Sequence, residues 1–239
     1  MTFKRARNDE QRGERRRQIL DTATAMLSEM PVAKLSLNEL SRRAGLAKPN
    51  VLRYFESREA VLLHLLGTEI QDWIAELERS LEPTHGTPRQ RGDRLAATLA
   101  KTIAQRPVLC DLISTQAAVL EHNVSTGVAI QHKNATLRAF QSLVRLLLRY
   151  LPELGTQDAF RLVGLTMLTV SAAWPYSRPP EALLAAYTSD PALAPMQVGF
   201  TDLVRQALEV TISGLLARGE DVPLGAGPLS TAQPPVEQG

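Results

Sequence analysis

Residues 37–54 of this 239-residue chain read LNELSRRAGLAKPNVLRY, and this stretch decides the fold. Two short helices that cross at a steep angle need apolar residues where they face each other, a small residue at their closest approach and a flexible residue in the turn. The apolar positions are Leu40, Ala44, Leu46 and Val51. Ser41 supplies the small side chain, and Gly45 can adopt the positive φ of a tight turn. The pattern predicts a helix-turn-helix.

The ends of the two helices are also marked in the sequence. Ser36 and Glu39 have the spacing of a capping box, in which the Ser36 hydroxyl accepts from the Glu39 amide and the Glu39 carboxylate accepts from the Ser36 amide. We expect the first helix to end at Gly45. The second helix is predicted from Lys48 to Phe55, with Pro49 tolerated because it falls in the first turn.

The outward face of the second helix carries the groups that a major-groove reader needs. These are Lys48, Asn50, Arg53 and Tyr54. No acidic residue lies between Lys48 and Phe55. Cationic and amide side chains donate hydrogen bonds to phosphates and base edges, so this helix is expected to contact double-stranded DNA.

Charge is distributed unevenly along the chain. Residues 1–60 hold 13 Lys and Arg against 8 Asp and Glu, whereas the remainder holds 14 against 17. A basic head on a mildly acidic body is expected of a polyanion-binding regulator, although a solvated basic face without a partner explains the charge equally well. Within the head, Arg12, Arg15, Arg16 and Arg17 are either ordinary surface or an arm that follows phosphates.

Apolar residues at helical spacing predict an all-α protein. The predicted helices cover Asp9–Met30, the segment from Ser57 to Leu81, and residues 90–105, 107–121, 125–151, 156–174 and 198–218. Loops are expected at Pro83–Pro88 and at Pro175–Pro195, the second with a short helix over Glu181–Tyr187. We therefore expect a DNA-binding domain over 1–58, a helical regulatory and dimerisation domain over 59–218, and a disordered tail over 219–239.

Two of these helices predict a homodimer. The helix over 156–174 is apolar nearly all round, so it should be buried on more than one side. The helix over 198–218 has an apolar stripe that includes Phe200, Leu208 and Ile212. Paired with their two-fold copies, the two helices would form a four-helix bundle. The alternative is that both belong to the core of a monomer.

The run AGLAKPNVLRYFESREAV at residues 44–61 resembles the DNA-binding signature of the TetR/AcrR family of transcriptional regulators, and the resemblance extends over residues 10–70. It implies that Lys48, Asn50 and Arg53 belong to a recognition helix. It further implies backbone contacts from Ser36, Arg42, Tyr54 and Arg58. Two positions depart from the signature. Leu52 replaces the usual phosphate-binding Tyr, and Ala47 replaces the usual Ser or Thr cap, which should cost about 1 kcal/mol.

In the family that this chain resembles, the body forms the dimer interface and a pocket for a small-molecule effector. Candidate pocket residues here are Gln116, Phe140, Met167, Trp174 and Tyr176. Each is also explained as ordinary core packing. The histidines, at 64, 85, 122 and 132, lack metal-ligand spacing and are interpreted as structural or surface residues. We predict no metal and no cofactor.

Other function classes find little support. The single cysteine, Cys110, excludes an intramolecular disulfide and fits a cytoplasmic protein. The N-terminus lacks the apolar region of a signal peptide, and the uncharged stretch Leu162–Ser177 is too short to span a membrane. The catalytic motifs that mark hydrolases, metalloproteases and nucleotide-binding enzymes are not found.

The favoured hypothesis is therefore a ligand-responsive repressor that binds a near-palindromic operator as a homodimer. An architectural DNA-binding protein without an effector is the nearer alternative. An enzyme built on a helical bundle is the more distant one.

Overall fold

The computed structural model describes residues 2–81 and 85–218, and within them every regular element is a helix, as predicted. In the head, α1 spans Thr2–Glu29, α2 Leu37–Arg43 and α3 Lys48–Leu52. α4, Arg58–Ser80, leads into the body. The body contains α5 Pro88–Ala104, α6 Pro107–Thr115, α7 Thr126–Tyr150, α8 Gly155–Tyr176, α9 Glu181–Ser189 and α10 Phe200–Arg218. The proposed tail, 219–239, lies outside the described residues.

The helix-turn-helix has the predicted internal construction. Leu40 and Val51 are fully buried between α2 and α3, and Ser41 donates from its hydroxyl to the Leu37 carbonyl at 2.7 Å. Gly45 has φ 65°, a region that side-chain-bearing residues rarely adopt. The Ser36 hydroxyl accepts from the Glu39 amide at 3.2 Å, which confirms half of the capping box. The other half is wrong because Arg42 and Arg43 bind the Glu39 carboxylate.

α4 joins the head to the body through one continuous hydrophobic core. Its first turns bury Val61 and Leu62 beside the head, and its later turns bury Trp73 and Leu77 within the body. The Trp73 indole N–H donates to the Thr102 hydroxyl at 3.0 Å, which satisfies a buried polar group at the contact with α5. Because the same helix packs in both parts, a tilt of α4 must displace the head relative to the body.

Within the body, α10 packs along α5 and α8, while α6 packs against α8 and α7 against α4. The approach of α5 to α10 is close at Gly92, where a Cβ atom would lie 2.7 Å from Ile212 Cγ2. A side chain at this position therefore requires the Ile212 side chain or the helices themselves to shift.

Several predicted boundaries need correction. α1 begins at Thr2 instead of Asp9, and α3 ends at Leu52 instead of Phe55. Pro175 does not end its helix: α8 continues to Tyr176, and the proline is accommodated in the last turn. The segment predicted as one helix over 107–121 is α6 followed by a π-helical turn over Gln116–Leu120.

α8 packs against α6, α7 and α10, but part of its apolar surface stays uncovered in the single chain. Leu162, Val163 and Val170 are fully buried, but Leu165 is 42% exposed and Leu168 is 68% exposed. On α10, Val210 is 74% exposed. The expected burial of α8 on more than one side is met in part by α6, α7 and α10, and its further burial by a two-fold copy stays a prediction. In the parts of the chain that the structure describes, none of the helices combines the length and the apolar character needed to cross a bilayer.

Candidate nucleic-acid interface

The polar side chains of α3 and of the residue that follows it are exposed, and the neighbouring apolar side chains are buried in the core. Lys48, Asn50 and Arg53 are exposed, while Val51 and Phe55 are buried. Ala47 precedes α3 in extended conformation. No side chain caps α3, because the methyl group of Ala47 cannot accept a hydrogen bond. The structure thus leaves three of the predicted DNA-binding residues exposed in and directly after α3, next to two buried core side chains.

Arg16 holds the turn between α3 and α4 in place. Its guanidinium lies 4.4 Å from the centre of the Phe55 ring and donates to the Tyr54 carbonyl at 3.4 Å. Burial, with a smaller contribution from Arg12, lowers the pKa of Arg16. Arg16 therefore has internal partners, and neither interpretation of the arginine run, free surface or arm, describes it.

Arg12 and Arg15 add positive charge beside α3. Together with Gln11, Glu14 and Gln18, they line an open cleft whose other wall is Arg53 and Tyr54. Gln18 also donates to the Ala44 carbonyl at 3.0 Å, which fixes α1 against the end of α2. The spacing of Arg12 and Arg15 by one helical turn is the sequence signal for this extension of the basic face.

Arg42 and Arg43 share the Glu39 carboxylate at the exposed side of α2. Arg42 Nη2 lies 2.6 Å from Glu39 Oε1, and Arg43 bridges Glu39 at 2.9 Å and Glu29 at 2.5 Å. The hydrogen bonds from Arg42 and Arg43 lower the pKa of Glu39 to about 2. Arg42 is exposed, so its remaining N–H groups face solvent. The Ser36 hydroxyl is the N-terminal cap of α2.

Arg58 points into the protein and does not join the other predicted DNA-binding residues. Its side chain is only 19% exposed, and it donates to the Val32 carbonyl and to Glu59, the latter at 3.1 Å. The matching position at the start of α4 suggested a phosphate contact, but the side chain turns inward because these acceptors lie within the head.

The five predicted pocket residues make separate local contacts, and their role in an effector pocket stays a prediction. The Phe140 ring packs edge-on against Phe160 at 5.9 Å, and Trp174 packs against Phe200 at 5.1 Å and under Arg178 at 3.8 Å. Met167 is half-buried against the core, and Tyr176 is exposed. Gln116 binds Glu121 and lies 3.1 Å from His132 Nε2. Helix-to-helix packing thus accounts for Phe140 and Trp174.

A cavity of about 690 Å³ lies elsewhere, at the junction of the head with α4 and α7. Its walls include Phe55, Leu63, His64, Val128 and His132. Sequence reasoning missed this site because both histidines were interpreted as structural or surface residues. Only the packing of α7 across α4 brings them to the same cavity.

Two hydrogen-bonded links tie the head to the body near this cavity. The Glu56 carboxylate accepts from the Ser125 amide at 2.6 Å and from the Ser125 hydroxyl at 2.7 Å. These bonds lower the pKa of Glu56. On the other side, Asp111 Oδ2 accepts from the Val32 amide at 2.6 Å.

Comparisons with known proteins agree on one family. Residues 19–65 match the model of "Bacterial regulatory proteins, tetR family", and residues 67–219 match that of "Tetracyclin repressor-like, C-terminal domain". The chain is 36% identical over 72 residues to the HTH-type transcriptional regulator EthR of Mycobacterium tuberculosis, covering 30% of this chain and 33% of EthR. It is 29% identical over 101 residues to the HTH-type transcriptional repressor KstR of Mycolicibacterium smegmatis, covering 42% of this chain and 49% of KstR.

The matched segments therefore span less than two thirds of either curated relative. A solved structure of a possible TetR family transcriptional regulator from Streptomyces coelicolor A3(2) superposes with a TM-score of 0.56 at 20% identity. It covers 85% of this chain and 99% of the other, which supports the fold over both head and body.

Proposed function

The chain belongs to the TetR family of bacterial regulatory proteins, and from this membership we propose that it is a homodimeric, ligand-responsive repressor of transcription. The observation that carries the proposal is the exposure of Lys48, Asn50 and Arg53 in and directly after α3, where Val51 and Phe55 are buried in the core. Proteins of this family regulate transcription and are not enzymes. The partner is double-stranded operator DNA, and the site of action is the cytoplasm.

In the proposed complex, α3 enters the major groove. Asn50 and Arg53 reach base edges, because amide and guanidinium groups make the bidentate contacts that discriminate adenine and guanine. Lys48 contacts phosphate or base from the N-terminal end of α3. The flanking phosphates are contacted by Ser36, Arg42 and Tyr54.

Arg12 and Arg15 extend the phosphate-contacting surface, since they line the cleft next to Arg53. Arg58 is left out of this surface because of its internal partners.

The exposed apolar residues of α8 and α10 support the homodimer. Leu165, Leu168 and Val210 expose apolar surface that a two-fold copy would cover, and apolar burial stabilises association by about 25 cal/mol per Å². A two-fold axis sets two copies of α3 one helical turn of DNA apart, which demands a near-palindromic operator.

Response to an effector is supported by the placement of α4. α4 packs against both the head and the body. A ligand that binds the protein better at one tilt of α4 than at another therefore shifts the spacing of the two heads. An architectural DNA-binding protein would lack this response. A saturating effector at a hundredfold excess over Kd should add about 2.7 kcal/mol of stability, whereas an effector-independent protein gains nothing from any small molecule.

The test begins with selection of bound duplexes from a random DNA pool, followed by titration of the selected operator at several salt concentrations. We expect salt-sensitive binding with a slope set by the number of phosphates contacted. Arg53→Ala should weaken operator binding by about 1–3 kcal/mol and weaken random-duplex binding less. Arg149→Ala, which removes an exposed cation from α7, is the matched control. Failure to bind any duplex in a salt-dependent manner would overturn the proposal.

A further inference from the structure

Leu52 is an exposed apolar residue at the end of α3. It is 41% exposed, whereas every other leucine, isoleucine, valine, methionine and aromatic residue over 10–58 is buried or half-buried. Single apolar residues scattered over a protein surface are common and need no special explanation. Over these residues, however, the head leaves one of them uncovered, and it lies on the helix that the proposed function places in the major groove.

The rotation of α3 about its own axis is fixed by Val51, which is fully buried. Successive residues of an α-helix are rotated by about 100°, so Leu52 lies on a flank of α3 and not against the core. Pro49, three residues earlier, is exposed as well, and residues three apart are neighbours on a helix surface. Its ring is apolar and its nitrogen carries no hydrogen. The two side chains therefore add an apolar strip to a helix that otherwise exposes Lys48 and Asn50.

A leucine side chain contacts DNA through apolar surface alone. It carries no hydrogen-bond donor or acceptor, so it cannot bind a phosphate oxygen or the polar edge of a base. In the major groove, adenine, guanine and cytosine present hydrogen-bonding atoms, whereas thymine also presents its C5-methyl group. That methyl group is the apolar partner that the groove offers to a leucine. The contact is favourable because it removes the apolar surface of both groups from water.

We propose that Leu52, with Pro49 beside it, contacts the C5-methyl group of one thymine in each half-site of the operator and so sets a preference for thymine at that position. The inference rests on the proposed function, because it needs α3 in the major groove. Asn50 and Arg53 remain the residues that form hydrogen bonds with other bases. Two kinds of contact then determine the operator sequence, and removal of a single methyl group from the DNA separates them.

The size of the effect follows from the burial of one methyl group. Its loss should weaken operator binding by about fourfold per half-site, which corresponds to about 0.8 kcal/mol. In a homodimer the two half-sites are far apart and their losses add as free energies, so the change in both half-sites should weaken binding by about fifteenfold. A difference of this size is well resolved in a direct binding titration.

The test replaces each thymine of the selected operator by deoxyuridine, at equivalent positions of both half-sites. Deoxyuridine keeps every hydrogen-bonding atom of thymine and lacks only the methyl group. We expect one position per half-site at which this replacement weakens binding of the full chain about fifteenfold, because the apolar partner of Leu52 is lost. A selected operator without thymine in the bases that α3 covers, or an operator in which no thymine can be replaced at a cost, would overturn the proposal.

Variants assign the effect to Leu52. Leu52→Ala keeps a good helix former at an exposed position, so the chain should fold, and it should bind the thymine and deoxyuridine operators within about twofold of each other. Leu52→Met keeps an apolar side chain of similar size and should retain most of the difference between the two operators. Ile130→Ala, which removes an exposed aliphatic side chain from α7 of the body, is the control and should retain all of it. An undiminished difference in Leu52→Ala contradicts the assignment.

Two further measurements on Leu52→Ala distinguish a base contact from a backbone contact. Repeated selection from the random pool should lose the preference for thymine at the one position and keep the preferences at the others. The dependence of affinity on salt should be unchanged, because a leucine displaces no counterion from the DNA. Equal weakening on the thymine and deoxyuridine operators would place Leu52 against a sugar and overturn the proposal.

The same titrations separate this inference from the repressor proposal. A chain that binds its selected operator in a salt-dependent manner, but without any dependence on a thymine methyl group, refutes the methyl contact and leaves the repressor proposal in place. A chain that binds no duplex refutes the repressor proposal, and the methyl contact falls with it.

Discussion

Leu168→Ala is the most direct test of the dimer, because Leu168 is the most exposed large apolar residue of α8. Its side chain is 68% exposed in the single chain, where the fourth turn of α8 leaves it uncovered. Full burial of a leucine stabilises by about 1.5–3 kcal/mol, so covering this exposed fraction contributes about 1–2 kcal/mol per chain.

A two-fold interface uses each residue twice. The substitution should therefore cost the dimer about 2–4 kcal/mol, which raises the dimer dissociation constant by about thirty-fold to several hundred-fold. The folded monomer should lose little stability, because the side chain is exposed there.

Sedimentation equilibrium over a range of chain concentrations measures the dissociation constant. Ile130→Ala removes a similarly exposed aliphatic side chain from α7, outside the proposed interface, and should leave the dissociation constant unchanged. If Leu168→Ala dimerises as tightly as the unaltered chain, α8 does not form the interface and the bundle derived from α8 and α10 is refuted.

Three further predictions concern the packing and the charges of the chain. Gly92→Ala should destabilise the fold by about 1–3 kcal/mol in denaturant titrations, because the added methyl would lie 2.7 Å from Ile212 Cγ2; an unchanged midpoint would show that the Ile212 side chain or the helices shift freely. Glu39 has a folded pKa of about 2, so its contribution to stability is full above its unfolded pKa near 4.5 and is lost as the pH falls toward 2. E39Q should remove that part of the loss of stability in acid, and identical stability–pH curves for the two proteins would contradict the ion pairs. Asp111→Ala should speed hydrogen exchange at the Val32 amide by at least about tenfold, and unaltered exchange would show that this link does not hold the head.

The elements that could be predicted from sequence are those whose causes are local. The cap at Ser36, the turn at Gly45 and the buried positions Leu40 and Val51 depend on neighbours within a few residues, and all are confirmed. The resemblance that began from the same residues was confirmed by the family comparisons. Short-range chemistry was sufficient for the head.

Prediction was weaker where the cause is tertiary. Arg58 looks like a surface cation in sequence, but its acceptors on Val32 and Glu59 become available only when the head is folded. His132 is an isolated histidine in sequence, and only the crossing of α7 over α4 places it in the junction cavity. Pro175 was expected to end α8, but a helix that is well packed elsewhere tolerates a proline in its last turn.

The links between head and body limit how such a protein can switch. Glu56 bound to Ser125 and Asp111 bound to Val32 lie at two different points of the junction, and the core runs between them through α4. A rotation of the head that opens one link must stretch or bend the other, so the two links change together. A ligand that binds one orientation of the head better than another shifts their populations, and its effect on DNA affinity is limited by that difference in affinity.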